Sequence, residues 1–369
     1  MAEKETELLC IGNALVDIFA SGVHAQGVPA QSMRDLCERY GISGPVQHVE
    51  IERLKELVSL LPEYSAVSGG GAANVAKIAA LLGTRVSFTG ALGREKNGQA
   101  RDLAKDQTEF QSDEFGRLFS KELSDAGVML HLHLKSPPTG LCLYIKTGDE
   151  TRIAASPSAA LELCESDIPE DELKKARLVV IDGFMLNRQG LVRRILSLAE
   201  KYGTIAAMDL GSAAIAGEQA AEIADYARHD TILFMNEAEA IAFYKGIVKK
   251  EAGSRDEETV LANACAYFKS MTEGKSFPII VVKLGKRGAL VFAGGIVYRA
   301  ETREHKPLES TGAGDAFSAA FLSAWVRNKP LAECAALGNR AGRIVLDVAG
   351  TQVNREQLKD IAAVLLGKD

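Results

Sequence analysis

Ser310-Thr311-Gly312-Ala313-Gly314-Asp315 runs directly into Ala316-Phe317-Ser318-Ala319-Ala320-Phe321, and no other stretch of the chain points so clearly to chemistry. Small residues open an amphipathic helix, leaving several backbone N–H groups bare at the positive end of the helix dipole. Such a turn favours an anion, yet Asp315 places a carboxylate in it. The two features agree if the anion is a phosphoryl group in transfer and Asp315 takes the proton of the attacking hydroxyl. A glycine turn with an aspartate in the first helical turn is the plain alternative.

Three further segments carry groups suited to the same chemistry. Ser68-Gly69-Gly70-Gly71-Ala72-Ala73-Asn74 opens a second helix with apolar positions Val75, Ile78, Ala79 and Leu82. Its glycines admit a ligand close to the backbone, and Asn74 offers a donor and an acceptor. A dinucleotide fingerprint fails here, because Asn74 stands where Gly or Ala belongs and no strand is expected ahead of the glycines. Gly274-Lys275-Ser276 resembles the end of a Walker loop, but Lys269 occupies the first glycine position. Gly12-Asn13-Ala14-Leu15-Val16-Asp17 closes the first strand with an acid that suits two neighbouring hydroxyls, or a simple turn. Asn236-Glu237-Ala238-Glu239 sits at a strand-to-helix junction. There Asn236 and Glu239 suit either the waters of a hydrated magnesium or a plain helix cap. Lys283-Leu284-Gly285-Lys286-Arg287-Gly288 gives a glycine turn, fit for a nucleotide or a hairpin.

These residues need a scaffold, and the pattern supplies one. Runs at Arg85–Thr89, Leu178–Asp182, Thr204–Asp209, Thr231–Met235 and Ile279–Lys283 alternate with helical segments at Gly190–Tyr202, Glu218–His229 and Glu257–Met271. Alternation of this kind predicts an α/β fold, a mostly parallel sheet covered by helices on both faces. Asp182, Asp209, Asn236 and Lys283 fall at carboxyl ends of strands, where such sheets gather ligands. The expected organisation is a single α/β domain over 1–369. Segments at about 17–50 and 128–147 form a small β-rich lid, and about 95–112 is a surface insertion. His131 and His133 share one strand face without a third metal ligand in view.

Bulk properties narrow the partners. A net charge of −6 and a pI near 5.7 argue against nucleic acid and anionic membranes. Six scattered cysteines without a Cys-x-x-Cys pair suggest neither zinc nor a disulfide framework. No signal-peptide core or membrane-length apolar run is seen, so a cytoplasmic protein is expected.

In this order the segments resemble the ribokinase/PfkB family of carbohydrate and nucleoside kinases: Gly-Asn-x-x-x-Asp, Gly-Gly-x-x-x-Asn, Asn-x-x-Glu, Gly-x-x-Gly and Thr-Gly-Ala-Gly-Asp. A further family segment is split, with Gly90-Ala91-Leu92-Gly93-Arg94 before the insertion and Asp113-Glu114-Phe115-Gly116 after it. The resemblance implies a ribokinase-like fold and ATP-dependent phosphorylation of a primary hydroxyl on a sugar or nucleoside. It implies Asp315 as catalytic base and the amides of Gly312, Ala313 and Gly314 as anion hole. Asp17, Gly69, Gly70 and Asn74 would hold sugar hydroxyls. Asn236 and Glu239 would act through magnesium, and Gly285 and Gly288 would line the nucleotide beside Lys283. Arg152 matches an arginine that approaches the transferred phosphate in adenosine-kinase-like members. It also leaves room for a monovalent cation and for a monomer or a homodimer joined through the lid. Two departures stand out: Glu309-Ser310 replaces the usual Asp-Thr pair, and Lys283 stands where a Thr is common. The helical lid segments Gln31–Tyr40 and Glu50–Leu61 favour the adenosine-kinase-like branch. Ribokinase-type or fructokinase-type activity on a free sugar, and a catalytically silent sensor on the same fold, are the rival readings. A phosphosugar acceptor is disfavoured, since residues 17–50 carry only Arg34 and Arg39 as cations.

Overall fold

The computed structural model describes residues 4–20, 30–42, 46–95, 111–147, 150–248, 256–303, 311–348 and 352–367. Two sheets organise the chain. The larger runs β14-β13-β12-β11-β10-β9-β1-β5-β6. Its parallel part comprises β1 (Thr6–Ile11), β5 (Val86–Gly93), β6 (Met129–Lys135), β9 (Ala176–Asp182), β10 (Ile205–Asp209), β11 (Thr231–Asn236) and β12 (Ile279–Lys283). The hairpin strands β13 (Ala289–Ala293) and β14 (Ile296–Ala300) close one edge in antiparallel fashion.

Both faces of the sheet are covered. Along β1, Leu8 and Cys10 enter one core while Leu9 and Ile11 enter the other. The period-two alternation thus delivers apolar side chains to two helical layers at once. On one face lie helices Gly71–Leu81, Ala313–Trp325 and Leu331–Val345; on the other lie Gln189–Tyr202, Glu237–Val248 and Glu257–Thr272. The segment expected as one helix over 218–229 is instead two short helices, Ala213–Glu218 and Ala220–Tyr226, broken at Gln219.

The smaller sheet has the order β3-β8-β7-β2-β4, built from β2 (Leu15–Ala20), β3 (Val46–His48), β4 (Tyr64–Gly69), β7 (Gly140–Thr147) and β8 (Glu150–Ser156). Helices Ala30–Arg39 and Ile51–Ser59 accompany it, and the second buries Ile51, Leu54, Leu57 and Val58. Two expectations need correction. Residues 129–135, read as lid, are the edge strand β6 of the large sheet, paired with β5 from Ser87–Met129 to Gly93–Lys135. An edge strand half open to water alternates just as a lid strand does. A strand does precede the glycines: β4 pairs antiparallel with β2, and its Ser- and Gly-diluted sequence hid it.

Of the expected insertion, 96–110 lie outside the described residues, as do Glu309 and Ser310; its base is marked by an Arg94–Ser112 bridge. No helix among the described residues is long and apolar enough to cross a membrane.

Candidate active site

The carboxyl ends of β9, β10, β11 and β12 carry Asp182, Asp209, Asn236 and Lys283. In-register pairing sets Asp209 beside Asp182 and Asn236 beside Lys283. Over this polar edge stands the start of the Ala313–Trp325 helix. Its N-cap is Gly312 at φ +80°, which has no side chain to cap the free amides of the first turn. Only glycine takes this left-handed turn cheaply, so the sequence places bare N–H groups where the strands end.

Lys283 fills the space in front of that turn. Its Nζ is 2.5 Å from Asp209 Oδ2, which also accepts a hydrogen bond from Ser318 Oγ at 2.8 Å. A Cβ on Gly314 would lie 3.2 Å from the same ammonium. Burial pulls the ammonium pKa down, but Asp209, Glu239 and Asp315 outweigh it and leave the lysine above its ordinary value. A fixed positive charge therefore sits at the mouth of the helix turn.

Asp315 is half-buried in the first turn of the same helix, and Asn74 Nδ2 donates to its Oδ2 at 2.8 Å. Burial, together with the Asp209 charge, pushes its pKa up to about 7, although Asn74 and Lys283 pull the other way. A carboxylate tuned to that range can accept a proton near neutral pH.

Asn236 and Glu239 form a reciprocal cap at the start of Glu237–Val248. The Asn236 amide and Nδ2 donate to Glu239 at 2.9 and 2.7 Å, and the Glu239 amide donates to Asn236 Oδ1 at 2.9 Å. The plain reading of this motif is thus realised in the geometry. Burial, reinforced by Asp209, still pushes Glu239 up to about 7. A nearby cation would relieve that carboxylate, and its free lone pairs suit a water held by one. Among the described residues no cluster of three or more acids, histidines or cysteines is placed to hold a metal directly.

Beyond Lys283 opens a cavity of about 420 Å³ lined by Gly285, Gly288, Ala313 and Gly314. Gly288 is required, since at φ +83° a Cβ would lie 2.0 Å from the Ala300 carbonyl oxygen. Lys286, Arg303, Asn339 and Arg343 complete the wall. Arg303, Asn339 and Arg343 escaped the sequence reading, because they lie outside any short motif and only the fold brings them in.

The other side of Asp315 faces the small sheet. Asp17 is only 5% exposed and lies over Gly69, where a Cβ would come within 2.3 Å of its carboxyl carbon. Gly70 takes φ +100° against the Asn13 carbonyl. On the same face of the lid, Phe19 stacks on Tyr144 with centroids 4.8 Å apart. Burial, then Asp17, Cys142 and more weakly Asp315 hold the Tyr144 phenol above its ordinary range. Tyr144 was not singled out from sequence, although the alternation along β7 marks it as sharing a face with Cys142.

Arg152 is not brought to this cluster. On β8 it pairs across from Ile145, and its Nη1 donates to the Ile42 carbonyl at 3.0 Å, on the helix-covered face of the lid. His131 and His133 are likewise remote, standing over Glu172 and Asp167.

The sequence profile described as pfkB family carbohydrate kinase matches residues 108–358. Among curated proteins, 5-dehydro-2-deoxygluconokinase of Listeria monocytogenes is 26% identical over 301 residues, covering 77% of this chain and 82% of that one. The enzyme of that description from Clostridium perfringens is 26% identical over 267 residues, 70% of this chain and 72% of its own. Among solved structures, adenosine kinase from Sinorhizobium meliloti superposes with TM-score 0.76 at 24% identity, covering 97% of this chain and 99% of that one. A probable sugar kinase from Rhizobium etli gives TM-score 0.76 at 23% identity, covering 98% and 99%. These structural likenesses show a shared ribokinase-like α/β fold.

Proposed function

The chain belongs to the pfkB family of carbohydrate kinases, ATP-dependent phosphotransferases with a sugar or nucleoside hydroxyl as acceptor, and we propose that its own acceptor is a free sugar or sugar acid phosphorylated on a primary hydroxyl. The observation that carries the catalytic part is the Asn74–Asp315 hydrogen bond of 2.8 Å, with Lys283 poised over Gly314.

In this reading ATP lies in the cavity bounded by Gly285, Gly288 and Arg343, with its terminal phosphate toward the Gly312–Gly314 turn. The acceptor lies between Asp17 and Asp315. Asn74 aims Asp315, which takes the hydroxyl proton as the acceptor oxygen bonds to the γ-phosphorus and the bond from that phosphorus to the β–γ bridging oxygen breaks, releasing ADP. Lys283 and the bare amides meet the negative charge of the moving phosphoryl group, so little reorganisation is needed at the moment of transfer. A magnesium ion, bound with the nucleotide, would spread the charge of the outer phosphates; Asn236 and Glu239 would hold it through water. Asp17, backed by the open floor at Gly69 and Gly70, accepts hydrogen bonds from further acceptor hydroxyls.

The choice of a sugar rests on the curated relatives, whose name specifies 5-dehydro-2-deoxygluconate, and on the compact acidic floor at Asp17. A nucleoside acceptor is the second reading, favoured by the stacked Phe19–Tyr144 pair, which offers a flat surface to a base. ADP release measured over 5-dehydro-2-deoxygluconate, ribose, fructose, adenosine and inosine separates the two. Turnover confined to the sugars or the sugar acid supports the proposal. Turnover confined to the nucleosides overturns it.

A further inference from the structure

We infer that Asp182 is a positioning residue for the transfer: from the end of β9 it caps the helix that carries Asn74 and confronts Asp315 across Gly71 with a second carboxylate. The inference rests on the proposed role of Asp315 as base.

The Gly71–Leu81 helix begins after Gly70, which has no side chain to offer its free amides. Asp182 supplies the missing cap from another strand, its Oδ2 accepting from the Ala72 amide at 3.4 Å. Asn74 lies two residues further along this helix and donates to Asp315. The carboxylate of β9 thus fixes the frame from which the base is aimed. Glycines make the arrangement possible. A Cβ on Gly12 would lie 2.8 Å from Asp182 Oδ2, and one on Gly71 would lie 3.3 Å from Asp182 Cβ and 3.8 Å from Asp315 Oδ1. The two acids are therefore separated by little more than the width of one backbone.

A neutral cap would serve a helix equally well, yet this position holds an acid only 4% exposed. Its second oxygen, Oδ1, is buried and makes no well-formed hydrogen bond among the described residues, although the Phe184 and Met185 amides act on the carboxylate. No ion pair joins it to a described cation; the nearby Arg188 spends its two Nη groups on Asn13 Oδ1 and the Ala160 carbonyl, each at 2.7 Å. Buried polar atoms left in this state are rare and call for a use. Burial pushes the Asp182 pKa up, against the Ala72, Phe184 and Met185 amides and Arg188. The charged or titratable groups around Asp315 are Asp209 from β10, Lys283 from β12, Asp182 from β9 and the Tyr144 phenol from β7. Asp182 is among the groups that raise the base, after burial and the Asp209 charge.

Asp182→Asn keeps the cap and removes the charge. Its effect is read in the pH profile of kcat/KM for the acceptor, with circular dichroism to verify the fold. The expected result is an acidic limb displaced downward by about one pH unit. An unmoved limb in a folded variant overturns the inference. The question can also be put to the unmutated chain, by carboxyl-carbon NMR of aspartate-labelled protein. Two coupled titrations above the ordinary aspartate range, one of them lost in Asp315→Asn, support the inference; independent titrations overturn it. If Asp315→Asn abolishes turnover while Asp182→Asn leaves the limb in place, only the role of Asp182 fails. If Asp315→Asn retains full turnover, the base assignment itself fails.

Discussion

Asn74 and Asp315, 241 positions apart in sequence, are joined by a hydrogen bond of 2.8 Å between the first turns of two helices. One helix starts from the glycine turn beside Asp17, the other from the turn beside Lys283. In the proposed site the acceptor side and the donor side meet at this contact, and the bond lowers the proton affinity of Asp315 against burial. Asn74→Ala removes that influence, so the acidic limb of the kcat profile should move upward. Turnover at pH 7 should fall roughly tenfold, within the range of a lost hydrogen bond to a charged group. A stopped-flow or coupled assay across pH 5.5–9 checks both effects.

The Lys283–Asp209 pair is nearly buried, each side chain 13% exposed. Lys283→Met leaves Asp209 without its cation, which costs about 3–5 kcal/mol when a buried pair is broken. The variant should melt well below the parent in calorimetry and bind ATP more weakly. A Lys283→Met, Asp209→Leu double variant should recover much of the stability without recovering turnover.

Gly69 has no room for a side chain, since its Cβ would meet the Asp17 carboxyl at 2.3 Å. Gly69→Ala should displace Asp17 and raise the acceptor KM at least tenfold, while the KM for ATP stays near its original value. Steady-state kinetics with each substrate varied in turn makes the comparison. Arg343→Ala, on the far wall of the cavity proposed for the nucleotide, should show the opposite pattern.

Much of the fold was legible because alternating β and α segments have few physical solutions. Strands such as Leu178–Asp182 and Thr231–Met235, apolar on both faces, are forced into the centre of a parallel sheet. The ends of those strands then mark the site before any contact is known. Where local pattern is ambiguous the reading failed. Met129–Lys135 alternates like a lid strand yet pairs with β5, and Tyr64–Gly69 is too rich in small residues to look like a strand. The glycine turns at 69–71 and 312–314 were readable, because each needs a particular residue type at a particular place. Arg303, Asn339 and Arg343 were not, because any surface helix or loop carries such residues and only long-range packing selects these. Arg152 shows the converse. The family resemblance implied a phosphate contact for it, but the register of β8 turns it to the helix-covered face of the small sheet.

Removing an acid that resists ionisation should also change stability. Asp315 is raised to about 7 in the fold, so the folded state binds its proton more tightly than the unfolded chain does. This contribution is fully present below about pH 4 and is lost as pH rises through about 7. Asp315→Asn stays neutral throughout and should melt a few degrees above the parent at pH 8, with little difference at about pH 4. Differential scanning calorimetry at the two pH values provides the check.

The most direct measurement is acceptor-dependent phosphoryl transfer by the parent and Asp315→Asn, with ATP binding followed in parallel by calorimetry. In the parent the rate should rise with pH through about 7, as the carboxylate becomes free to take a proton. The variant should bind ATP with unchanged affinity and transfer at least about a hundredfold more slowly, the lower end of general-base assistance. Parent-like turnover in Asp315→Asn would contradict the account.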